Sequence, residues 1–244
     1  MSEKFSLKKL SIVIPVYNEL HNLDELYKRN VAVIKQIGKE YEIVFVDDGS
    51  RDGTLEKLLE IKKADDNVKI VSFAKNQGQT AAMDAGFKHA TGDVIVTMDG
   101  DLQNDPVDIP VLLKELENFD TVVGWRHKRN DTFIRRVSSK IANAIRNKLS
   151  NETIADTGCS LKAYKSYCLK DLKLYEGMHR FLPTLIKLEG YTVGQVKVSH
   201  HPRLNDQSKY GVWNRVFKSF FDLLAVRWMK KRYLRYKNYV KFYK

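Results

Sequence analysis

Cysteine is scarce in this 244-residue chain: only Cys159 and Cys168 are present. Two cysteines exclude a disulfide scaffold and form no metal-ligand pattern, so a reduced, cytosolic setting is expected. Long apolar runs are also missing. The strongest, Leu10 to Val16 and Ile43 to Val46, fall far short of the ~18 residues a membrane span needs. The opening MSEKFSLKKL is charged at both ends and lacks the apolar centre of a signal peptide, so neither secretion by that route nor a span is expected. Neither G-x-G-x-x-G nor G-x-x-x-x-G-K-[ST] occurs, which excludes the usual dinucleotide and P-loop cradles. No internal repeat or low-complexity segment is visible.

Positive charge is abundant. Lys plus Arg number 42 against 30 Asp plus Glu, a formal net charge of +12. Such an excess calls for an anionic partner: nucleic acid, anionic lipid or a phosphorylated substrate. The 43% apolar content supports a buried core. At about 150 residues per domain, one domain with a C-terminal extension is expected.

The N-terminal half alternates strand and helix. Ser11–Val16, Tyr41–Val46, Val68–Phe73 and Val94–Met98 read as strands. Between them, Leu20–Gln36, a segment ending near Ala64, and Gln79–His89 carry helical spacing, with Asp52 or Thr54 able to cap the second. This alternation predicts βαβ units and a mostly parallel sheet. Ligands in such sheets sit at the carboxyl ends of the strands. The polar clusters fall there: Tyr17-Asn18-Glu19, Asp47-Asp48, Lys75-Asn76 and Asp99-Gly100-Asp101.

The second half is less regular. Pro106 and Pro110 bracket the start of a helix through Leu116, and Thr121–Gly124 is a short strand. Arg126–Arg136 holds six Lys, Arg or His residues and one Asp, and reads as a basic loop leading into a helix to about Leu149. Tyr191–His200 alternates like an edge strand. From Trp213, the residues Trp213, Val216, Phe217, Phe220, Phe221, Leu224 and Trp228 form an apolar helical stripe. Between Leu223 and Lys244 there are eight Lys or Arg and no acid.

Asp99 and Asp101 flank Gly100 directly after a strand. Carboxylates at i and i+2 on a turn can point the same way, and oxygen donors suit Mg²⁺ or Mn²⁺ bridging a protein to a diphosphate. The plainer alternative is an Asp-Gly turn that solvates the strand end. Asp47 and Asp48 can accept hydrogen bonds from a ribose or a base. The plainer alternative for them is a turn or helix cap.

These stretches together resemble the inverting glycosyltransferases of family 2, which have a GT-A fold. The resemblance is carried by SIVIPVYNE at 11–19, IVFVDDGSRDGT at 43–54, NQGQTAAMDAGFKHATGD at 76–93 and VIVTMDGDLQNDP at 94–106. The DGDLQNDP run, with RRVSSKIAN at 135–143, DTGCSLKAY at 156–164 and HHPRLNDQSKYG at 200–211, is more narrowly similar to the polyprenyl-phosphate branch. That branch includes dolichol-phosphate mannose synthases and bacterial undecaprenyl-phosphate sugar transferases of cell-envelope glycan synthesis. The resemblance implies a GT-A catalytic domain over 1–210, and the apolar stripe and basic tail predict an amphipathic, basic helical extension over 211–244. It implies that Pro15, Tyr17, Glu19, Asp47, Asp48 and Gln79 line the donor nucleotide pocket. Asp99, Asp101 and Gln103 would hold the metal and donor diphosphate. Arg126, Arg135, Arg136, Arg203, Ser208 and Lys209 would gather phosphates, with Asp156 and Arg203 as catalytic candidates. Arginine suits this because its fork binds phosphate oxygens in pairs.

The implied reaction is inverting, metal-dependent transfer of a sugar from a UDP- or GDP-linked donor to a polyprenyl phosphate. A sugar-hydroxyl acceptor would need a carboxylate base. Family 2 enzymes of that kind usually have a Glu-Asp pair, whereas Tyr175–Pro183 reads YEGMHRFLP with Glu176 its sole acid. A phosphate monoester, with a second pKa of about 6, is already a nucleophile at neutral pH. A glycan hydroxyl is the rival acceptor. A nucleic-acid-binding module is a remote alternative, opposed by acids clustered at the strand ends. Many relatives carry C-terminal transmembrane helices; here the aromatic stripe and basic tail fit a helix lying on the cytoplasmic face of an anionic membrane. A homodimer or a transmembrane partner protein is also open.

Overall fold

A computed structural model describes residues 5–126, 154–202 and 212–234, with side chains of the last segment described from 221 onward. Among these, seven strands form one sheet in the order β3-β2-β1-β4-β6-β5-β7. They are β1 (Lys9–Val16), β2 (Glu40–Asp47), β3 (Val68–Ser72), β4 (Val94–Thr97), β5 (Thr121–Arg126), β6 (Lys162–Lys165) and β7 (Val193–Val198). Only β6 runs against the others: it pairs antiparallel with both β4 and β5, and every other pairing is parallel. The helices are α1 (Leu23–Ile37), α2 (Thr54–Ala64), α3 (Gln79–His89), α4 (Ile109–Glu115), α5 (Leu182–Leu188) and α6 (Val212–Arg232).

The period of two along β1 explains the layers. Leu10, Ile12 and Ile14 face one side and join Leu26 and Ile34 of α1, Leu58 of α2 and Leu112 of α4. Val13 faces the other side with Val44 and Ile95, against Ala82 and Met83 of α3 and Leu182 of α5. A third cluster joins Met178, Phe181 and Leu185 to Leu223 and Val226 of α6.

The chain winds outward from β1 through β2 to β3, then returns by α3 to place β4 on the other side of β1. The direction of winding therefore reverses between β1 and β4. In open α/β sheets the ligand crevice lies outside the carboxyl ends of the strands at such a switch point. Residues 15–19 and 99–101 meet there.

The strands and helices expected over residues 11–98 are found, with ends moved by a residue or two. The helix expected from Leu20 begins instead with a 3₁₀ turn over Leu20–Asn22, and the one after Pro106 with a 3₁₀ turn over Pro106–Asp108. Tyr191–His200 contains the edge strand β7. Strand β6 and helix α5 had no counterpart in the sequence reading. The expected helix to Leu149 lies outside the described residues. Of the stripe expected on the C-terminal helix, the described members Phe221, Leu224 and Trp228 are 66%, 40% and 64% exposed, whereas Leu223 and Val226, which lie outside that stripe, are buried. Both cysteines are free and buried.

At the opposite end of the sheet, Glu42 is buried at 2% exposure. Its carboxylate accepts from Ser11 Oγ at 2.7 Å, Thr91 N at 2.6 Å and Thr91 Oγ1 at 2.9 Å. Lys9 and Lys69 lie 3.0 and 2.7 Å away. One side chain thus ties β1, β2, β3 and the approach to β4. Burial alone would raise its pKa, but the bonds from Lys69, Ser11, Thr91 and Lys9 outweigh burial and hold it at about 2. A folded pKa below the ordinary 4.5 stabilises the native state above pH 4.5, and that stability is lost as pH falls toward 2. We expect Glu42→Gln to cost about 3 kcal/mol at neutral pH in urea unfolding. The variant should also lose the wild-type decline in stability between pH 4.5 and 2; an unchanged acid limb would contradict this role.

Candidate active site

The turn after β4 carries the acids. Asp99 N donates to Asn104 Oδ1 at 3.1 Å, and Ser160 Oγ donates to the same oxygen at 2.7 Å. Asn104 is buried and closes the turn over Leu102, a buried leucine forced to φ 60°. A branched residue in the left-handed region is strained, and the fold holds it there. Gly100 permits the approach of β1, since a Cβ would stand 2.8 Å from Val16 Cγ1 and 3.4 Å from Pro15 O. The DGD turn and the Pro15–Glu19 segment are thereby pressed together.

Asp99 retains partial solvent contact but is crowded by protein. Burial first, and then the neighbouring Asp101, push its pKa up to about 6, against the pull of Ser160, Lys162 and Arg126. Gln79, the first residue of α3, donates from Nε2 to Asp99 Oδ1 at 2.8 Å. The Gln103 backbone N–H donates to Asp101 Oδ1 at 3.2 Å. The Gln103 side-chain amide lies 3.5 Å from His200 Nε2 and 3.4 Å from the His201 carbonyl.

The second acidic pair shapes the neighbouring strand ends. Asp47 accepts from Ser50 N at 3.1 Å and Ser72 Oγ at 3.0 Å, a turn-forming role. Asp48 reaches instead to the loop before α3, accepting from Gln77 N at 2.6 Å, Asn76 Nδ2 at 2.9 Å and Gly78 N at 2.9 Å. Burial still leaves its pKa raised, with those backbone donors opposing and Asp47 adding to the rise. Gly49, at φ +71°, makes the reach possible: a Cβ there would fall 2.5 Å from the Lys75 carbonyl carbon. Neither aspartate caps α2, where Asp52 accepts from Thr54 N and Oγ1. Asn18 N donates to Ser50 Oγ at 2.9 Å, Arg51 N donates to Asn18 Oδ1 at 2.9 Å, and Glu19 N donates to Thr54 Oγ1 at 3.0 Å. The Tyr17–Glu19 and Asp47–Ser50 ends therefore form one rim.

On the other wall, Arg126 ends β5 and meets Asp156 in a two-point contact, Nε to Oδ2 at 2.7 Å and Nη2 to Oδ1 at 2.9 Å. Gly158 N adds a third donor to Asp156 at 3.1 Å. Burial disfavours the arginine's charge, but the Asp156 bonds and charge outweigh it and raise its pKa. The guanidinium expected to gather phosphate is thus engaged by the aspartate expected to orient the reaction. Arg135, Arg136, Arg203, Ser208 and Lys209 lie outside the described residues. The approach to Arg203 is described: Ser199 N donates to Asp108 at 2.7 Å, His201 N to Gln103 O at 3.0 Å, and His201 Nε2 lies 2.9 Å from Asp105. Residues 199–201 are stapled beside the DGD turn.

Two groups were not anticipated. His179 Nδ1 lies 2.7 Å from Thr80 Oγ1, which also accepts from Gly177 N at 3.1 Å. Burial, then Arg180 and Lys162, depress His179 to a pKa of about 3, so it is neutral. Lys162 opens β6 and is 2% exposed. A lysine in an LKAY run reads as an ordinary alternating polar residue, and only the antiparallel insertion of β6 brings it inside.

The sequence model described as "Glycosyl transferase family 2" matches residues 11–172. The chain belongs to glycosyl transferase family 2. Among curated proteins, the dodecaprenyl-phosphate galacturonate synthase of Rhizobium johnstonii is 40% identical over 235 residues, covering 94% of this chain and 68% of that protein. A mannosyltransferase from Pyrobaculum calidifontis, solved with GDP-Man and Mn²⁺, superposes with a TM-score of 0.62 at 20% identity, covering 93% of this chain and 64% of that one. Glucosyl-3-phosphoglycerate synthase from Mycobacterium tuberculosis, solved with Mn²⁺, UDP and phosphoglyceric acid, gives 0.68 at 18% identity over 91% of this chain and 78% of that one. These likenesses establish the GT-A fold of a glycosyltransferase.

The donor set fits a divalent cation in one particular way. Among the described residues, no group of three or more His, Cys, Asp or Glu is placed to hold a metal. Asp99 and Asp101 offer two carboxylates on one turn, where burial and then the charge of Asp101 raise the Asp99 pKa. Magnesium commonly binds through one or two carboxylates and completes its shell with substrate phosphates and water.

Proposed function

We propose that this family 2 glycosyltransferase moves a sugar, with inversion, from a nucleoside-diphosphate donor to a polyprenyl phosphate. Asp99 and Asp101 would hold Mg²⁺ or Mn²⁺. When bound, that ion would offset charge on the departing diphosphate. Gln79 orients Asp99, and the rim of Tyr17–Glu19 with Asp47 and Asp48 receives the nucleoside. Asp156 fixes Arg126 at the acceptor side, with Arg135, Arg136, Arg203, Ser208 and Lys209 as further phosphate contacts.

The observation that supports the phosphate acceptor is that, among the described residues of the Tyr175–Pro183 stretch and the Asp156 corner, no group is poised as a base for a hydroxyl acceptor. Glu176 is exposed, and His179 has a pKa of about 3, too weak to take a hydroxyl proton. Asp156 is already gripped by Arg126. A phosphate monoester needs positive charge rather than a base. The 40% identical relative bears a dodecaprenyl-phosphate name.

The lipid acceptor implies contact with a bilayer. Among the described residues no helix is long and apolar enough to cross one. On α6, Phe221, Leu224 and Trp228 stand exposed along one side, with Leu234 just beyond, while Lys231 and Arg232 are also exposed. Aromatic and basic groups together suit the headgroup layer of the cytoplasmic leaflet, with the protein peripheral to it.

A panel of UDP- and GDP-linked sugars, uronates included, should reveal one that labels an organic-extractable short-chain polyprenyl phosphate when Mn²⁺ is present. Asp99→Ala and Asp101→Ala should each cut that transfer by about 10²-fold or more. Full metal-dependent turnover in either variant contradicts the site, and labelling of a glycan hydroxyl instead contradicts the acceptor. In vesicle flotation, the chain should rise with anionic but not zwitterionic lipid, and Trp228→Ala with Lys231→Ala should weaken it; unchanged flotation removes α6 from the interface.

A further inference from the structure

Arg126 is engaged by Asp156, yet the acceptor and donor phosphates need a cation. We propose that Lys162 is that cation: its ammonium receives non-ester phosphate oxygens between the DGD turn and the His179 turn. The inference rests on the glycosyl-transfer reading above.

Lys162 is placed by register. It pairs with Thr97, two residues before Asp99, and with Val123, three residues before Arg126. Its neighbour Ser160 supports the DGD turn through Asn104. The side chain is almost wholly enclosed, yet among the described residues its ammonium makes no hydrogen bond and no ion pair within contact distance. A lysine buried for structure alone satisfies its three N–H groups with carbonyls or a carboxylate.

Its charged surroundings act through space. Asp99 and Asp156 attract it and Arg126 repels it. His179, on the facing turn, also senses it. The ammonium therefore sits among the β4 end, the Arg126–Asp156 pair and the His179 turn. Burial lowers its pKa, and the two aspartates and Cys159 oppose that. His179 is neutral and Arg126 spends two of its five N–H groups on Asp156, whereas the three N–H groups of Lys162 are unspent. An ammonium is a compact point charge that suits a phosphate oxygen.

Either the donor diphosphate or the lipid monophosphate can supply that oxygen, and binding separates them. Wild type, Lys162→Met and Lys162→Gln are titrated with Mn²⁺ alone, with UDP or GDP plus Mn²⁺, and with a short prenyl monophosphate. Removing a cation beside two carboxylates should leave Mn²⁺ affinity equal or higher. Affinity for at least one phosphate ligand should fall tenfold or more, and Lys162→Arg should recover part of it. Loss on the nucleotide identifies the diphosphate, and loss on the prenyl phosphate the acceptor. The proposal is overturned if both phosphate ligands bind the Met and Gln variants as they bind wild type. It is equally overturned if Mn²⁺ and phosphate affinities fall together, or if neither variant folds, since each marks the lysine as structural. Wild type that binds neither phosphate ligand would overturn the glycosyl-transfer reading and this inference with it.

Discussion

Two carboxylates stand at the carboxyl end of β4 with only Gly100 between them, in a corner where burial has removed much of the water. That burial, and after it their repulsion, pushes the Asp99 pKa up to about 6. Much of the surrounding structure serves to hold that unfavourable pair in place. Asn104 bonds the Asp99 backbone, Gln79 bonds its side chain, and the strained Leu102 keeps the turn closed. An arrangement that raises the energy of the free protein makes sense if a cation with a bound diphosphate lowers it again.

Positive charge around this pair is graded by burial. Arg126 is bonded to Asp156 at two points and forms a fixed wall. Breaking such a buried pair from one side costs about 3–5 kcal/mol, because the survivor stays uncompensated. Lys162 lies deeper and keeps its donors. Farther out, exposed Lys231 and Arg232 lie beside the aromatic side of α6. Long-range attraction by the +12 chain brings anions near, and only the enclosed cations set their geometry.

The parallel half of the fold was legible because each strand there is a short apolar run that stops at a polar cluster, and that pattern is local. Gln79 and Asp99 were both named in advance, but their bond depends on α3 returning across the sheet. Strand β6 escaped notice because KAYK has no apolar run. It becomes a strand only by insertion between β4 and β5, and with it Lys162 becomes internal. The pairing of Arg126 with Asp156 was hidden for a similar reason: 30 residues separate them, and each looked like an independent ligand. On α6, periodicity picked out Phe221, Leu224 and Trp228, which face solvent, and passed over Leu223 and Val226, which pack on the Met178–Leu185 cluster.

The central claim is that Asp99 and Asp101 join a divalent cation to a nucleoside diphosphate. Pulsed electron paramagnetic resonance of Mn²⁺, recorded with UDP or GDP and the full chain, tests it most directly. The account predicts a protein-bound ion with phosphorus couplings from the diphosphate, and loss of that species in Asp99→Asn. A manganese–nucleotide signal the same with and without the chain, or unaffected by that substitution, would contradict it.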